Sequence, residues 1–243
     1  MNSTSFQQNI VYPIPDSDIP TIQAKVETVY KTNIEPYILG VGEHIQENLR
    51  EIQTMIYIID HYGEHNKEID PVVLDALFQQ VANSIEKLGI PTDVCMKLLE
   101  DLKEFAVIET SARHGKSFAD YDLKYFYHKK SADVRMHRHF IRYLNGEKPE
   151  STEHEVIQDI LEDIYDDFED LEEDKNAMFN GNRLLSVIRE HDVKKLKEYI
   201  LFTEPYLVSH PEIAMKINQD WLCIPLSVEA TLEAIFNGTL IMN

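Results

Sequence analysis

The chain has 243 residues, a formal net charge of −20 at pH 7, and few glycines and prolines (8 and 10). This length supplies one large domain or two small ones, with a core that needs no disulfide staple. The strong negative charge disfavours binding to a nucleic-acid backbone or to an anionic membrane surface. Long stretches without glycine or proline favour helices over a strand-and-turn protein.

The cysteines and the N-terminal residues indicate the cellular compartment in which the protein is expected. Cys95 and Cys223 lie far apart among apolar residues and form no CxxC or zinc pattern, which is typical of buried free thiols in a reducing compartment. The first residues have no basic stretch followed by an apolar core, and no apolar run approaches about 18 residues. We therefore expect a cytoplasmic protein without a membrane-spanning segment.

Hydrophobic periodicity predicts an irregular arm over residues 1–18 and a single all-α domain over residues 19–243. The first predicted helices cover about 21–37, 41–62, 71–88 and 92–110, followed by a loop over 111–119. A long aromatic and basic helix is expected over 120–144, and four shorter helices over 182–243. The expected architecture is one bundle of about eight to ten helices.

The most acidic stretch, DILEDIYDDFEDLEED, lies between these basic and C-terminal segments, in a helix that begins near Pro149 and Ser151. On a helix its apolar residues share one stripe, and a second stripe carries Asp159, Asp163, Asp166 and Asp170. Like charges at this spacing repel by roughly 0.2–0.5 kcal/mol per pair on an exposed helix. Two interpretations follow: a solvated acidic face, or carboxylates that hold a divalent cation.

Several well-known sites are absent from the sequence. It has no Glu-x-x-His pair of the di-iron kind, no HExxH, no P-loop and no GxGxxG. Three charged pieces remain, in the order DHYGE (60–64), KKSADVR (129–135) and EDIYD (162–166). Two acidic pieces and a basic one on separate helices are what a bundle needs to hold a diphosphate, because carboxylates bind Mg²⁺ and basic side chains contact phosphate oxygens.

The acidic stretch also resembles the second aspartate-rich motif, DDxxD, of class I isoprenoid synthases, and of trans-prenyltransferases in particular. Glu162 stands in place of the first aspartate, and Asp163 and Asp166 match the later ones. Upstream, YFYHKKSADV is similar to the family's Lys-Thr segment, with Lys130 as the matching lysine and Ser131 in place of threonine.

The apolar run that ends in DHYGE resembles the helix that carries the family's first DDxxD motif. Asp60 and Glu64 stand at its two ends, and His61 replaces the second aspartate. The resemblance covers residues 51–175, about half of the chain. The family's Gly-Lys-x-Arg segment and its Gly-Gln-x-x-Asp motif are not found, and the gap between the two acidic motifs is shorter than usual.

The resemblance implies an isoprenoid-synthase-like bundle that ionises a prenyl diphosphate for transfer or cyclisation, as a prenyltransferase or a terpene synthase-like enzyme. Asp163 and Asp166 would be catalytic, and Lys130 and Arg135 would bind the diphosphate. The implied cofactor is Mg²⁺, with a ligand set of Asp60, Glu64, Glu162, Asp163 and Asp166. A homodimer is compatible with this assignment, although the sequence sets no oligomeric state.

Two alternatives stay open. The chain could have kept the fold but lost the chemistry and serve as a binding or regulatory protein, which the His61 and Glu162 replacements favour. It could also be an unrelated helical protein whose acidic helix engages a basic partner. Lys129, Arg138 and Arg142 have a plain interpretation as well, because they could form a solvated face or pair with the acidic helix.

Overall fold

The computed structural model describes residues 17–38, 40–64, 70–112, 114–171, 174 and 181–209. These residues form nine α-helices and no strand, which confirms the expected all-α bundle. The helices are α1 (Ile19–Val29), α2 (Glu43–Glu64), α3 (Pro71–Lys87), α4 (Thr92–Ala112), α5 (Leu123–Lys130), α6 (Ala132–Leu144), α7 (Glu153–Glu169), α8 (Arg183–Arg189) and α9 (Val193–Ser209).

The core consists of two hydrophobic clusters. The first lies among α1, α2, α3 and the N-terminal part of α4, and α6 adds Met136 and Phe140 to it. The second lies among α5, α7, α8 and α9, and receives Ile108 from the end of α4. Helix α4 therefore contributes to both clusters, while α6 and α7 belong to different ones.

Local sequence signals set several helix ends. Asp70 caps α3 by accepting from Val72 N at 2.8 Å, and Pro71 at the first position has no N–H that needs a partner. Thr152 and Glu155 form a reciprocal capping box at the start of α7. Helix α6 ends before Gly146, whose φ of +71° is the left-handed conformation that glycine adopts at little cost.

The first predicted helix is shorter than expected. Helix α1 ends at Val29, and the chain continues as a π-helical turn, Tyr30–Ile34, and a 3-10 turn, Glu35–Tyr37. Pro36 lies in the second turn and has no N–H to donate to a continuing helix. Turns of the π type are rare and occur frequently at functional sites.

The long helix predicted over residues 120–144 is wrong at one point, because Ser131 divides it into α5 and α6. The Ser131 hydroxyl donates to the carbonyl of Tyr127 at 2.8 Å and accepts from Arg135 Nη1 at 2.7 Å. A serine that bonds back to the preceding turn bends or interrupts a helix. Periodicity continues across the break and so does not reveal it.

Some expectations fall partly or wholly outside the described residues. The N-terminal arm lies there except for its last two residues, as do Cys223 and the whole of residues 210–243, beyond α9. Cys95 is a buried free thiol, as expected, and burial raises its pKa to about 11. Among the described helices, none has both the length and the apolar character required to cross a bilayer.

Candidate functional site

Helix α7 lies antiparallel to α5 and α6 and is joined to them by a ladder of ion pairs. The pairs are Lys130 with Asp167, Arg138 with Asp159, and Arg142 with Glu155. Lys130 Nζ lies 2.6 Å from Asp167 Oδ1, and Arg138 Nη1 donates to Asp159 Oδ2 at 3.0 Å. Along each helix, successive members of the ladder are four or eight residues apart. This spacing places the basic members on one face of α5 and α6 and the acidic members on one face of α7.

The ladder decides between the interpretations of these charges. Arg138 and Arg142 pair with the acidic helix, while Lys129 pairs with Asp101 of α4 at 2.5 Å. A solvated acidic face is wrong for Asp159, which is 2% exposed and receives both arms of the Arg138 guanidinium. Bidentate pairs of this kind fix geometry as well as charge.

Asp167 is the centre of a buried polar network that the sequence analysis missed. Its carboxylate accepts from Tyr127 Oη at 2.6 Å, from Lys130 Nζ at 2.6 Å and from the backbone N–H of Arg183 at 3.0 Å. Tyr199 Oη lies 3.0 Å from Tyr127 Oη and accepts from Arg183 Nη1 at 2.9 Å. The network joins α5, α7, α8 and α9, and its hydrogen bonds offset the cost of burying a charge.

One signal in the sequence could have identified Asp167. It lies seven residues after Ile160 and three after Ile164, which places its carboxylate on the apolar stripe of the acidic helix. A carboxylate on an apolar stripe is expected to be buried and paired, because an isolated buried charge is costly.

Asp163 lies between Asp159 and Asp167 on the same face of α7, but it forms no ion pair with a basic side chain among the described residues. One carboxyl oxygen, Oδ2, is buried and has no hydrogen-bond partner among the described residues. Burial raises the pKa of Asp163 well above its usual range, although the positive charge of Lys130 opposes the shift. The carboxyl is therefore the least satisfied acidic group on α7.

The other residues of the EDIYD piece face different surroundings. Glu162 lines a cleft on the other side of α7 from the Asp167 network and accepts from Gln158 Nε2 at 3.0 Å. Asp166 is exposed. The positive charge of Lys130 acts on the carboxylates of Asp163 and Asp166, while its Nζ donates a hydrogen bond to Asp167. The structure thus brings Lys130 together with Asp163 and Asp166 but turns Glu162 away.

The remaining predicted metal ligands lie elsewhere. Asp60, near the end of α2, lines a cavity of about 20 Å³ with Glu109 of α4, and Asp163 does not line that cavity. The side chain of Glu64 is outside the described residues. Across the described ranges, no group of three or more His, Cys, Asp or Glu side chains is arranged to hold a metal ion. The Mg²⁺ site stays a prediction.

Arg135, the second predicted diphosphate contact, is held inside the fold. Its side chain is 4% exposed, and it donates to Ser131 Oγ and to the carbonyl of His128. Asp101 lies 3.7 Å from its guanidinium. Burial opposes ionisation of Asp101, but hydrogen bonds from His128 and Lys129 outweigh it and lower the pKa of Asp101 to about 2.

A second feature, which the sequence analysis did not predict, is a cleft of about 780 Å³ between the π-helical turn, α2 and α6, called here the α2–α6 cleft. Its polar lining includes Asn33, Gln53, Asp133, His137 and Glu162. Small-molecule sites in proteins typically have volumes of about 300–1,000 Å³ and combine an apolar wall with a few placed polar groups.

Two residues that line the α2–α6 cleft each have a buried side-chain atom without a hydrogen-bond partner among the described residues. These atoms are Oε1 of Gln53 and Nε2 of His137. Gln53 is only 1% exposed and lies in the middle of α2. A buried polar atom without a partner costs about 1–3 kcal/mol, so such atoms are uncommon unless something outside the chain satisfies them.

Comparison with known proteins adds no assignment to these sites. The chain matches no protein-family model, no curated protein and no solved structure. The isoprenoid resemblance therefore depends on the motifs around Lys130 and Asp163 alone, and the case for function depends on the geometry of the described residues.

Proposed function

We propose that this chain is a helical binding protein that holds a small polar molecule in the α2–α6 cleft. The observation that carries the proposal is that two residues lining the cleft, Gln53 and His137, each have a buried atom, Oε1 and Nε2 respectively, without a partner among the described residues. A ligand that bonded to both would remove a desolvation cost that the ligand-free fold carries. The π-helical turn, which contributes Asn33 and Ile34 to the wall, is a further feature frequent at functional sites.

A binding protein was one of the alternatives from the sequence, but the binding surface proposed now is the α2–α6 cleft and not the acidic helix. A protein partner for the acidic helix would find exposed carboxylates only toward the two ends of α7, at Glu153, Asp166 and Asp170 among others, because Asp159 and Asp167 are each 2% exposed and bonded within the chain. The cleft offers a concave surface with unused hydrogen-bonding capacity, which suits a small ligand.

The test compares Gln53→Leu with Gln80→Leu by thermal unfolding. Gln80, on α3, also has a buried Oε1 without a partner among the described residues, but it does not line the cleft. Both variants are expected to be as stable as the wild type or more so, because leucine removes an unsatisfied group. A panel of amines, carboxylates, alcohols and phosphates should contain compounds that raise the melting temperature of wild type and Gln80→Leu but not of Gln53→Leu.

Two results would overturn the proposal. The first is a panel in which no compound stabilises the wild type, and the second is a set of shifts that Gln53→Leu retains in full. A ligand at about 100 times its Kd stabilises a protein by about 2.7 kcal/mol, so a real site gives a shift well above experimental scatter.

The second candidate function is the Mg²⁺-dependent handling of a prenyl diphosphate. Asp163 favours it, because a buried carboxyl oxygen without a partner beside Lys130 and Asp166 is a place where a ligand could add a contact. Isothermal titration with geranyl diphosphate and Mg²⁺ on wild type and on Asp163→Asn/Asp166→Asn, with a diphosphate-release assay, tests it. Equal binding by the two proteins, or no binding by either, would remove this candidate.

A further inference from the structure

We infer that the ligand of the α2–α6 cleft is an elongated organic cation, an amine with an aliphatic body. The inference rests on the proposed function and names its ligand class. It follows from three properties of the cleft wall: the sign of its unbalanced charges, the hydrogen-bonding role of its buried histidine, and its mixture of aliphatic and aromatic surface.

The unbalanced charges of the wall are negative. The two basic lining residues, Arg138 and Arg142, pair with Asp159 and Glu155, which do not line the cleft. The acidic lining residues are Asp133, Glu147 and Glu162, and within the described part of the chain none of them forms a salt bridge. The positive charges of Arg138 and Arg135 act at longer range on Glu162 and Asp133, but Arg138 is already paired with Asp159 and Arg135 lies 3.7 Å from Asp101. A cationic ligand would neutralise the excess negative charge of these lining residues.

A hydrogen-bond donor would satisfy both buried atoms. Gln53 Oε1 can only accept, and His137 Nε2 accepts when the ring proton lies on Nδ1. Burial lowers the pKa of His137 below 6.5, so the ring is neutral near pH 7. An ammonium group offers three N–H donors and can bond to His137 Nε2 and to the Gln53 amide oxygen.

The rest of the wall suits an aliphatic body with a charged end. Its apolar members are Val29, Ile34, Val134 and Ile141. Tyr37 and Tyr57 supply aromatic surface. The Lys25 ammonium already covers one face of the Tyr57 ring, 4.6 Å from its centroid, whereas Tyr37 is 60% exposed and offers an open ring face that attracts a cation.

The test uses three eight-carbon probes that differ only in their end groups. Isothermal titration of the full chain with 1,8-diaminooctane is expected to show binding, whereas 1,8-octanediol and suberate are expected to bind at least tenfold more weakly. Asp133→Asn should weaken diamine binding by about tenfold, which corresponds to about 1.4 kcal/mol. Asp75→Asn, the same change at an exposed site on α3 outside the cleft, should leave binding unchanged.

An acidic protein adsorbs cations non-specifically, and Gln53→Leu separates this effect from binding in the cleft because it changes no charge. Diamine binding that Gln53→Leu retains is surface adsorption and overturns the inference. Preferential binding of suberate or of the diol, lost in Gln53→Leu, overturns the cationic class while the proposed binding function stands. Absence of binding by every probe overturns the inference, and the wider compound panel then decides whether the proposed function survives.

Discussion

Asp163 of α7 lies at the ladder step that corresponds to Val134 of α6. The pairs on either side, Lys130 with Asp167 and Arg138 with Asp159, each join a cation to a carboxylate, but here the cation is replaced by an apolar side chain that is 40% exposed. The missing cation explains why the Asp163 carboxyl has a buried oxygen without a partner. Four predictions follow from this ladder and the network at its end.

Asp163→Asn is expected to stabilise the protein at neutral pH by about 1–2 kcal/mol. Burial raises the pKa of Asp163 in the folded state, so folding favours the protonated carboxyl. The stability contributed by this group is present below its unfolded pKa of about 3.9 and is lost as pH rises through the folded pKa. Urea unfolding of wild type and variant from pH 3 to 8 should show a difference that grows with pH; a constant difference would contradict the explanation.

Val134→Arg should complete the ladder and raise the free energy of unfolding by about 1 kcal/mol. The exposed part of Val134 leaves room for a longer side chain, and the register set by the Lys130–Asp167 and Arg138–Asp159 pairs places position 134 at the same step as Asp163. Val134→Met is the control, because it adds length without charge. If Val134→Arg and Val134→Met have equal stability in urea at pH 7, the absence of a cation at position 134 does not explain why the Asp163 carboxyl is unpaired.

Asp167→Asn should destabilise the protein by about 3–5 kcal/mol, because it leaves Lys130 without its buried counter-charge. The neighbouring Asp166→Asn is the matched control. Partial burial and nearby carboxylates raise the pKa of Asp166, so removal of its charge should leave the free energy of unfolding unchanged or slightly higher. Denaturant unfolding at pH 7 measures both changes. Similar losses in the two variants would show that the Asp167 network is not a major source of stability.

Glu155 should make the protein sensitive to acid below about pH 4. The Arg142 hydrogen bond, together with those from Thr152, outweighs burial and lowers the pKa of Glu155 to about 2. A carboxylate with a lowered folded pKa contributes stability above its unfolded pKa of about 4.3, and this contribution is lost as pH falls toward the folded value. Glu155→Gln should therefore cost about 1–3 kcal/mol at pH 7 and progressively less between pH 4 and 2.

Calorimetry across that pH range provides the check for Glu155. Glu153→Gln is a suitable control, since Glu153 lies in the same first turn of α7 but is exposed. If the cost of Glu155→Gln did not decrease as the solution becomes more acidic, the Arg142 pair would not be the source of the lowered pKa.

Periodicity, with proline and glycine as boundary signals, predicted most of the described helices because these signals are local. The Asp70 cap and the Thr152–Glu155 capping box also depend on residues within one turn, although the sequence prediction did not use them. The break at Ser131 was missed because the hydrophobic pattern continues across it, and a serine in a helix does not by itself specify a bend.

The site was predicted less well because it depends on contacts between distant residues. The acidic and basic segments were recognised, but their partners were not, since the register of α7 against α6 is a tertiary property. Gln53 and His137 carry no sequence signal, because each is a common polar residue in a helix. Only the fold, by burying both beside one cleft, gives them a shared role.

The assignment of α6 and α7 to different hydrophobic clusters has a consequence for cooperativity. Helix α4 packs in both clusters, but α6 and α7 are joined by the charged bonds from Arg138 and Arg142 to Asp159 and Glu155, whereas each cluster is held internally by apolar packing. Acid and salt weaken charge pairs far more than they weaken apolar contact. Amide hydrogen exchange at pH 3 in high salt should therefore resolve two separately opening units, one around α2 and α3 and one around α7 and α8, that exchange together at pH 7.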